Sequence, residues 1–346
     1  MTRRAVLICP GRGTYNKTEL GYLARHHGDK GDLLAGFDDI RTEQGQDTVT
    51  GLDGMARFQG ATHTRGDNAS ALIYACAFAD AQSLADDIDV VAVTGNSMGW
   101  YIALATAGAL TATDGFRLVN TMGALMQDAS VGGQLIYPFV GEDWRPDLPR
   151  KAALLDVVAA IDARSDRHLA LSIDLGGLLV LAGDESGLTA FEAAVPQVQD
   201  RFPMRLPNHA AFHTDLQAPV AAKARETLPA SLFGQARVPL IDGRGAIWWP
   251  GATDTQALWD YTLGHQITQS YDFTRAITVA AREFAPDLFI VTGPGATLGG
   301  AVAQSLIATK WCGMTDKMSF QTGQATDPLL ISMGSESQRQ IVRRLV

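Results

Sequence analysis

The sequence is poor in the features that mark disulfide-linked, metal-binding and membrane-spanning proteins. Its 346 residues include only three cysteines, Cys9, Cys76 and Cys312, which are widely spaced and lie in apolar surroundings. Such a set argues against a disulfide framework or a cysteine metal site and fits buried thiols in a reducing compartment. No apolar run reaches the length of a membrane span, and the first run, at residues 5–9, is too short for a signal peptide. We therefore expect a cytoplasmic protein that does not contact a membrane.

Positive charge is also scarce. The chain has 28 lysines and arginines against 37 acidic residues, a net charge of -9, and no basic block. Binding to nucleic acid or to an anionic membrane surface requires a basic patch, so neither partner is expected. Hydrophobic residues at 46% and charged residues at 19% are typical of a folded globular chain.

Short apolar runs that end near glycine indicate strands of a parallel sheet. Residues 5–8, 90–93 and 288–291 are continuous apolar runs, as in strands that are covered on both faces. Residues 68–84 have an alanine-rich helical pattern. Residues 14–66 are polar and glycine-rich, and their pattern predicts no element. The fold class is therefore predicted to be α/β.

Residues 131–206 have a different order of elements. The predicted strands and helices follow the order β-α-β-β-α-β, which is typical of a small ferredoxin-like sheet. They lie at residues 134–137, 152–163, 169–173, 178–181, 188–195 and 204–206. We predict a large α/β-hydrolase-like domain with a parallel sheet, formed by residues 1–130 and 207–346, and a small inserted ferredoxin-like α+β subdomain at 131–206.

The segment from Gly95 to Gly99 has the pattern G-x-S-x-G between a predicted strand and a predicted helix. This pattern is common by chance, but the strand–turn–helix setting is that of a nucleophile elbow and favours Ser97 as a nucleophile. The helix N-terminus favours a developing anion, and the backbone N–H of Met98 points toward the expected oxyanion site.

A serine nucleophile requires a base, and the sequence offers seven histidines. They are His26, His27, His63, His168, His209, His213 and His265. A lone histidine is more often structural or solvated than catalytic, so residue chemistry alone leaves the base unassigned.

Four separated blocks, in the right order, resemble the malonyl-CoA:acyl-carrier-protein transacylase family, which includes the acyltransferase domains of polyketide and fatty-acid synthases. They read CPGRG at 9–13, GNSMGWYIALATAG at 95–108, LPNHAAFHTDL at 206–216 and GPGATL at 293–298. The family patterns are FPGQG, GHSLGEYAALVAAG, a block that contains the catalytic FH, and GPGKVL. Each block alone is weak, but together they are highly specific.

The resemblance implies an acyltransferase that works through an acyl-serine. Ser97 would be the nucleophile and His213 the general base, with the backbone carbonyl of Gln266 orienting the histidine. The N–H groups of Arg12 and Met98 would form the oxyanion hole. An acyl-CoA or acyl-carrier protein would be the donor and an acyl carrier protein the acceptor. We expect a monomer that needs no resident cofactor or metal.

The acyl pocket departs from the family pattern. Malonyl-specific members have an arginine that binds the free carboxylate, and the residue at that position here is Met122. A second carboxylate-binding position, asparagine in the family, aligns with Asp174, whose charge would repel malonate. The histidine before the serine is replaced by Asn96, and the glutamate after the SLG motif by Trp100. Phe212, before the histidine, resembles a bulkier family variant and implies a modest pocket for an α-substituent.

These departures predict an acyl group without a free carboxylate: acetyl, a longer acyl or an amino-acyl group. Three alternatives remain. Another arginine, Arg12, could supply the clamp and leave ordinary malonyl transfer in place. The same serine and histidine could instead hydrolyse acyl thioesters. A silent binding module is disfavoured because Ser97 and His213 are both present.

Overall fold

Two β-sheets organise the chain, whose computed structural model describes residues 2–129 and 131–344. The strands are β1 (Arg3–Cys9), β2 (Ile88–Gly95), β3 (Gly133–Pro138), β4 (Leu169–Leu175), β5 (Leu178–Gly183), β6 (Met204–Leu206), β7 (Leu240–Ile241), β8 (Ile247–Trp248), β9 (Tyr271–Asp272), β10 (Leu288–Val291) and β11 (Leu330–Ser332).

Helices connect these strands. The α-helices are α1 (Tyr22–His26), α2 (Gly31–Glu43), α3 (Val49–Asp53), α4 (Gly60–His63), α5 (Gly66–Ala81), α6 (Gly99–Thr106), α7 (Ala112–Asp128), α8 (Leu148–Asp162), α9 (Glu185–Ala194), α10 (Ala218–Thr227), α11 (Thr255–Asp260), α12 (Gln266–Thr268), α13 (Phe273–Phe284), α14 (Leu298–Ala308), α15 (Lys317–Thr326) and α16 (Glu336–Val342). Short 3₁₀ turns lie at Gly28–Lys30, Asp215–Gln217, Ala230–Leu232 and Trp311–Gly313, and a π-helical turn at Tyr261–His265. Within the described ranges no helix is both long and apolar enough to cross a bilayer.

The larger sheet has six strands in the order β11-β10-β1-β2-β7-β8. All neighbours pair in parallel except β8, which runs antiparallel to β7. Residues 5–8 of β1 are almost fully buried, as expected for a strand covered by helices on both faces. The predicted α/β class with a parallel sheet is confirmed.

The smaller sheet has five strands in the order β6-β3-β5-β4-β9. Its elements follow the chain as β3-α8-β4-β5-α9-β6, which is the predicted ferredoxin-like order. The short strand β9 was not predicted; it reaches across from the later part of the chain and pairs in parallel with β4. The domain boundaries at residues 131 and 206 stay a prediction.

Residues 14–66, which have no predicted element, form helices α1 to α4. These helices depend on contacts with distant residues. Arg41 on α2 is fully buried, and its guanidinium donates to the Asn120 side-chain oxygen at 2.7 Å and to the Asp67 carbonyl at 3.0 Å. Local sequence patterns do not report such contacts.

Candidate active site

Ser97 lies on a sharp turn between β2 and α6. Its backbone φ of 56° is in the left-handed region, which non-glycine residues rarely adopt. The turn is so tight that it has no room for side chains at its two glycines. A Cβ on Gly95 would overlap the Gly99 carbonyl, and a Cβ on Gly99 would overlap the Cys9 carbonyl. These two glycines let α6 start directly against β1. The segment thus has the strand–turn–helix geometry of a nucleophile elbow.

Hydrogen bonds join Ser97, His213 and Gln266. The Ser97 Oγ lies 2.7 Å from His213 Nε2, and His213 Nδ1 lies 2.7 Å from the Gln266 carbonyl oxygen. Because a carbonyl can only accept, Nδ1 carries the proton and Nε2 is free to accept from the serine. Burial lowers the pKa of His213 to about 4, and the bond to the Gln266 carbonyl opposes that shift. The ring is therefore neutral near pH 7 and can act as a base.

The neighbouring His209 faces another partner. Its Nδ1 lies 2.7 Å from the Gln134 side-chain oxygen on β3, and burial lowers its pKa to about 3. Among the residues that the structure describes, His213 is the one histidine hydrogen-bonded to Ser97. Geometry thus makes the choice between two histidines that residue chemistry alone does not make.

Two residues that line the cleft with Ser97 have backbone N–H groups without a protein acceptor among the described residues. Within residues 2–129 and 131–344, neither the Arg12 N–H nor the Met98 N–H donates to a protein acceptor. The next N–H group along the chain, that of Gly99, is occupied, because it donates to the Asn96 carbonyl at 2.8 Å. Both Arg12 and Met98 line the same cleft as Ser97. Two free donors beside a nucleophile are what an oxyanion hole requires.

The cleft in front of Ser97 has a volume of about 450 Å³, counting its open mouth. Its wall is mainly apolar. The lining includes Val119, Met122, Met126, Phe212 and Ile267, together with Arg12, Ser70, Tyr101 and Gln266. Met122, on α7, is 2% exposed. Met122, which stands where the family resemblance places a carboxylate-binding arginine, is therefore an apolar part of this cleft.

Arg12 also contributes its side chain. The guanidinium lies 5.4 Å from the centre of the Phe212 ring and donates to the backbone carbonyls of Asn208, at 2.9 Å, and Thr64, at 3.3 Å. Burial lowers the pKa of Arg12 to about 10, although Asp67 opposes the shift. No carboxylate of the described residues forms an ion pair with Arg12, and Asp67 pairs with Arg65 at 3.0 Å. The cleft therefore contains a cation without a paired anion.

Two residues expected in the acyl pocket are not part of it. Asp174 does not line the cleft; its carboxylate forms an ion pair with Lys151 and accepts a hydrogen bond from Thr274 at 2.8 Å. The predicted repulsion of malonate by Asp174 is therefore corrected, because Lys151 neutralises that charge. Asn96 also lies outside the lining and packs beside Gly11.

Trp100 explains one departure from the family pattern. Its side chain is fully buried, its indole N–H donates to the Thr262 hydroxyl at 3.0 Å, and its ring packs edge-on against Tyr261 at 5.4 Å. These contacts hold the π-helical turn that leads directly into Gln266. A buried indole thus supports the segment that carries the carbonyl partner of His213.

Sequence reasoning missed two tyrosines at the site. The Tyr271 hydroxyl donates to the Gly95 carbonyl at 2.6 Å, and the Tyr101 hydroxyl donates to the Gln266 side-chain oxygen at 2.7 Å. The one available signal was that Tyr101 lies four residues after Ser97, about one helical turn away. For Tyr271 the sequence carries no signal, because its partner is 176 residues distant.

The sequence of this chain is similar to those of known acyl-transfer enzymes. No protein-family model matches the chain. The malonyl CoA-acyl carrier protein transacylase of Bacillus subtilis (strain 168) is 26% identical over 209 residues, which are 60% of this chain and 62% of that protein. A second transacylase, from Salmonella typhimurium, is 26% identical over 211 residues. Over these residues the chain is similar to malonyl CoA-acyl carrier protein transacylases, in agreement with the resemblance of its four sequence blocks. Its matches span about three fifths of the length of these curated relatives, 62% and 63%.

Solved structures of the family share the fold. The enzyme FabD from Acinetobacter baumannii superposes with a TM-score of 0.74 at 20% identity, covering 98% of this chain and 96% of that chain. A malonyl-transacylase solved in complex with its type II polyketide synthase acyl-carrier protein superposes with a TM-score of 0.71 at 18% identity, covering 88% and 93%. At these identities the likeness establishes the fold alone.

Proposed function

We propose that this chain is an acyltransferase that carries an acyl group on Ser97 between two thioesters. The proposal rests on the chain of hydrogen bonds from the Ser97 hydroxyl through His213 to the Gln266 carbonyl. These three residues lie at a cleft that also has two backbone N–H donors, of Arg12 and Met98, with no protein acceptor among the described residues. A nucleophile, a neutral base and an oxyanion site together suffice for acyl transfer.

The reaction has two halves. In the first, Ser97 Oγ bonds to the thioester carbonyl carbon, its proton moves to His213 Nε2, and the oxyanion is held by the N–H groups of Arg12 and Met98. The C–S bond then breaks, and the leaving thiolate takes the proton from His213. In the second, an incoming thiol gives its proton to His213 and bonds to the acyl carbon, and the C–O bond to Ser97 breaks as the proton returns to the serine.

The proposed donor is an acyl-CoA or an acyl-carrier protein, and the proposed acceptor is the thiol of an acyl carrier protein. Support comes from the relatives, which are named as transacylases between malonyl-CoA and acyl carrier protein. One solved relative was captured with its acyl-carrier protein.

We propose further that the acyl group is not restricted to malonyl. Met122, Val119 and Met126 give the cleft an apolar wall on the α7 side. A free carboxylate against this wall would lose its hydration without gaining a partner there. With Asp174 paired to Lys151, this proposal rests on Met122 rather than on a second repelling charge.

One observation favours a second candidate, ordinary malonyl transfer. The Arg12 guanidinium lines the cleft and has no paired carboxylate among the described residues. A half-buried cation is less well solvated than one in water, and a malonyl carboxylate would supply the counter-ion that Arg12 lacks. The Arg12 side chain would then replace the arginine that is missing at position 122.

Intact-mass measurement after mixing with acetyl-CoA, butyryl-CoA or malonyl-CoA tests these proposals. Acyl mass should appear on the wild type and not on Ser97→Ala. We expect acetyl or butyryl loading to exceed malonyl loading by roughly a hundredfold in specificity constant. Adding carrier protein should move the acyl group; its loss as free acid without a carrier would indicate a hydrolase instead.

Two variants separate the acyl specificities. Met122→Arg alone should raise malonyl loading, because Asp174 is already neutralised by Lys151. Arg12→Met retains the backbone N–H and removes the guanidinium. If malonyl is loaded fastest by the wild type and Arg12→Met abolishes that preference, the second candidate is correct and the apolar specificity is wrong.

A further inference from the structure

Gln266 contacts both reacting residues. Its backbone carbonyl accepts from His213 Nδ1 at 2.7 Å, while its side-chain Nε2 donates to the backbone carbonyl of Ser97 at 3.1 Å. The remaining polar atom of the side chain, Oε1, accepts from the Tyr101 hydroxyl at 2.7 Å. One residue thus bridges the base and the nucleophile, and a tyrosine holds its free end.

We propose that the Tyr101 hydroxyl and the Gln266 carboxamide form a positioning relay that sets the separation between Ser97 and His213. The proposal rests on the acyl-transfer function argued above. Tyr101 is here a positioning residue that acts through Gln266.

The direction of each bond follows from the atoms. A phenol in a buried site is the donor, and burial raises the pKa of Tyr101, so the hydroxyl keeps its proton. The Gln266 oxygen must then face Tyr101, which leaves the NH₂ group facing the Ser97 carbonyl. Without the Tyr101 hydroxyl, the carboxamide loses the partner that decides between its two orientations. A reversed amide would place oxygen against the carbonyl oxygen of Ser97, a repulsive contact.

The relay also joins parts of the chain that are far apart in sequence. Tyr101 lies on α6, one turn after the elbow, whereas Gln266 begins α12 after the π-helical turn. Tyr101 is 3% exposed and Gln266 is 2% exposed, so water does not compete strongly for these bonds. A displacement of about 1 Å at reacting groups can cost a hundredfold in rate, so bonds that hold this junction affect chemistry.

Tyr74 provides a matched control. It is also a fully buried tyrosine, and its hydroxyl also donates one hydrogen bond at 2.7 Å, to the Ala112 carbonyl. It does not line the cleft. Removing either hydroxyl should cost similar stability, so a difference in Ser97 reactivity between the two variants reports positioning.

The test follows the reaction of Ser97 with an alkyl fluorophosphonate, which does not depend on the acyl group. Ser97 Oγ bonds to phosphorus, its proton goes to His213, and fluoride leaves as the P–F bond breaks. Intact mass gives the rate constant for each variant, and thermal unfolding checks the fold. We expect Tyr101→Phe to label roughly tenfold more slowly than wild type. Tyr74→Phe should stay within about twofold.

Gln266→Met keeps the main-chain carbonyl and removes both side-chain bonds. We expect it to label at least as slowly as Tyr101→Phe, and the double variant to be no slower than Gln266→Met alone, because both changes break one relay. The low-pH limb of the rate should also move to lower pH in both single variants, since a looser carbonyl supports the imidazolium less. If Tyr101→Phe does not fold, Gln266→Met carries the same test.

Several results would overturn the relay. A Tyr101→Phe rate within about twofold of wild type would do so, as would a double variant whose loss is the product of the single losses. So would a Tyr74→Phe variant that is equally slow. A wild type that gains no phosphonyl mass at Ser97 would instead overturn the proposed function, and the relay with it.

Discussion

His213 is a residue whose surroundings determine both its orientation and its charge. Its backbone φ of 58° is left-handed, and its side chain is held between the Ser97 hydroxyl and the Gln266 carbonyl. In this position the residue is only 4% exposed. Desolvation disfavours the imidazolium more than a single carbonyl acceptor favours it, so the neutral ring prevails.

This environment predicts an unusual pH dependence. The reactive form is the neutral ring, and the pKa of His213 in the free enzyme is lowered from 6.5 to about 4. Acylation of Ser97, measured as specificity constant, should therefore stay nearly constant from pH 8 down to about pH 5 and fall only as the pH approaches 4. A half-loss near pH 6.5 would show that the ring titrates like a solvated histidine and would contradict the prediction.

Substitution of the two adjacent histidines should have unequal effects. His213→Ala removes the proton acceptor and should slow acylation and deacylation by at least roughly a hundredfold. His209→Ala removes a bond to Gln134 and no contact to Ser97, so its effect should be much smaller. Equal defects in quenched-flow mass measurements would mean that both rings serve the reaction.

At the scale of elements, α6 can start directly against β1 because Gly95 and Gly99 have no side chain. Gly99→Ala would place a methyl group against the Cys9 carbonyl, at the centre of the larger sheet. We expect a loss of about 2 kcal/mol or more in the free energy of unfolding, together with slow Ser97 acylation, because the elbow must shift. Urea unfolding measures the first effect and intact mass the second.

The matched control for Gly99 is Gly299. It also lies in a helix, α14, and a Cβ added there meets no heavy atom within 4 Å. Gly299→Ala should be neutral or stabilising by up to about 1 kcal/mol, since alanine has the higher helix propensity. Similar losses in the two variants would show that crowding at the elbow is not the cause.

At the scale of the whole molecule, buried and half-buried neutral histidines should make the fold sensitive to acid. The pKa is lowered to about 4 for His26, to about 3 for His209 and to about 4 for His213, from 6.5 in each case. Between these values and 6.5 the unfolded chain binds more protons than the folded chain. The free energy of unfolding should therefore be highest above about pH 6.5 and fall progressively toward pH 4. The pKa of His265 is also lowered by burial, whereas the raised pKa of Asp272 acts in the opposite direction, one group against four.

Urea midpoints at pH 7 and pH 5 test this. The midpoint should be lower at pH 5, and His209→Gln should reduce the difference, because one titrating group is removed. Equal midpoints in the wild type, or a higher midpoint at pH 5, would contradict the prediction.

Much of the architecture could be predicted because its signals are local. The strands at residues 5–8, 90–93 and 288–291 are continuous apolar runs, because a parallel strand with helices on both faces of its sheet has no side turned fully to water. Residues 5–8 and 288–291 are buried throughout, whereas residues 90 and 91 are half-buried. The elbow can be recognised from Gly95 and Gly99, which lie next to Ser97 in the sequence. The order of elements within residues 131–206 follows from successive local patterns. The helices of residues 14–66 were not predicted, because they are held by contacts with residues outside the segment. Arg41, for example, donates to Asp67 and Asn120.

The sequence by itself thus determined the α/β class, the elbow at Ser97 and the family resemblance, each carried by neighbouring residues. Only the tertiary structure decided which side chains meet. It pairs Ser97 with His213 and not with His209, four residues earlier, because the path of the backbone aims one ring at the serine and the other at Gln134. It likewise neutralises Asp174 with Lys151. Such pairings arise from packing between distant segments. The family resemblance pointed to His213, but the residues themselves carry no local pattern that pairs it with Ser97 or pairs Asp174 with Lys151.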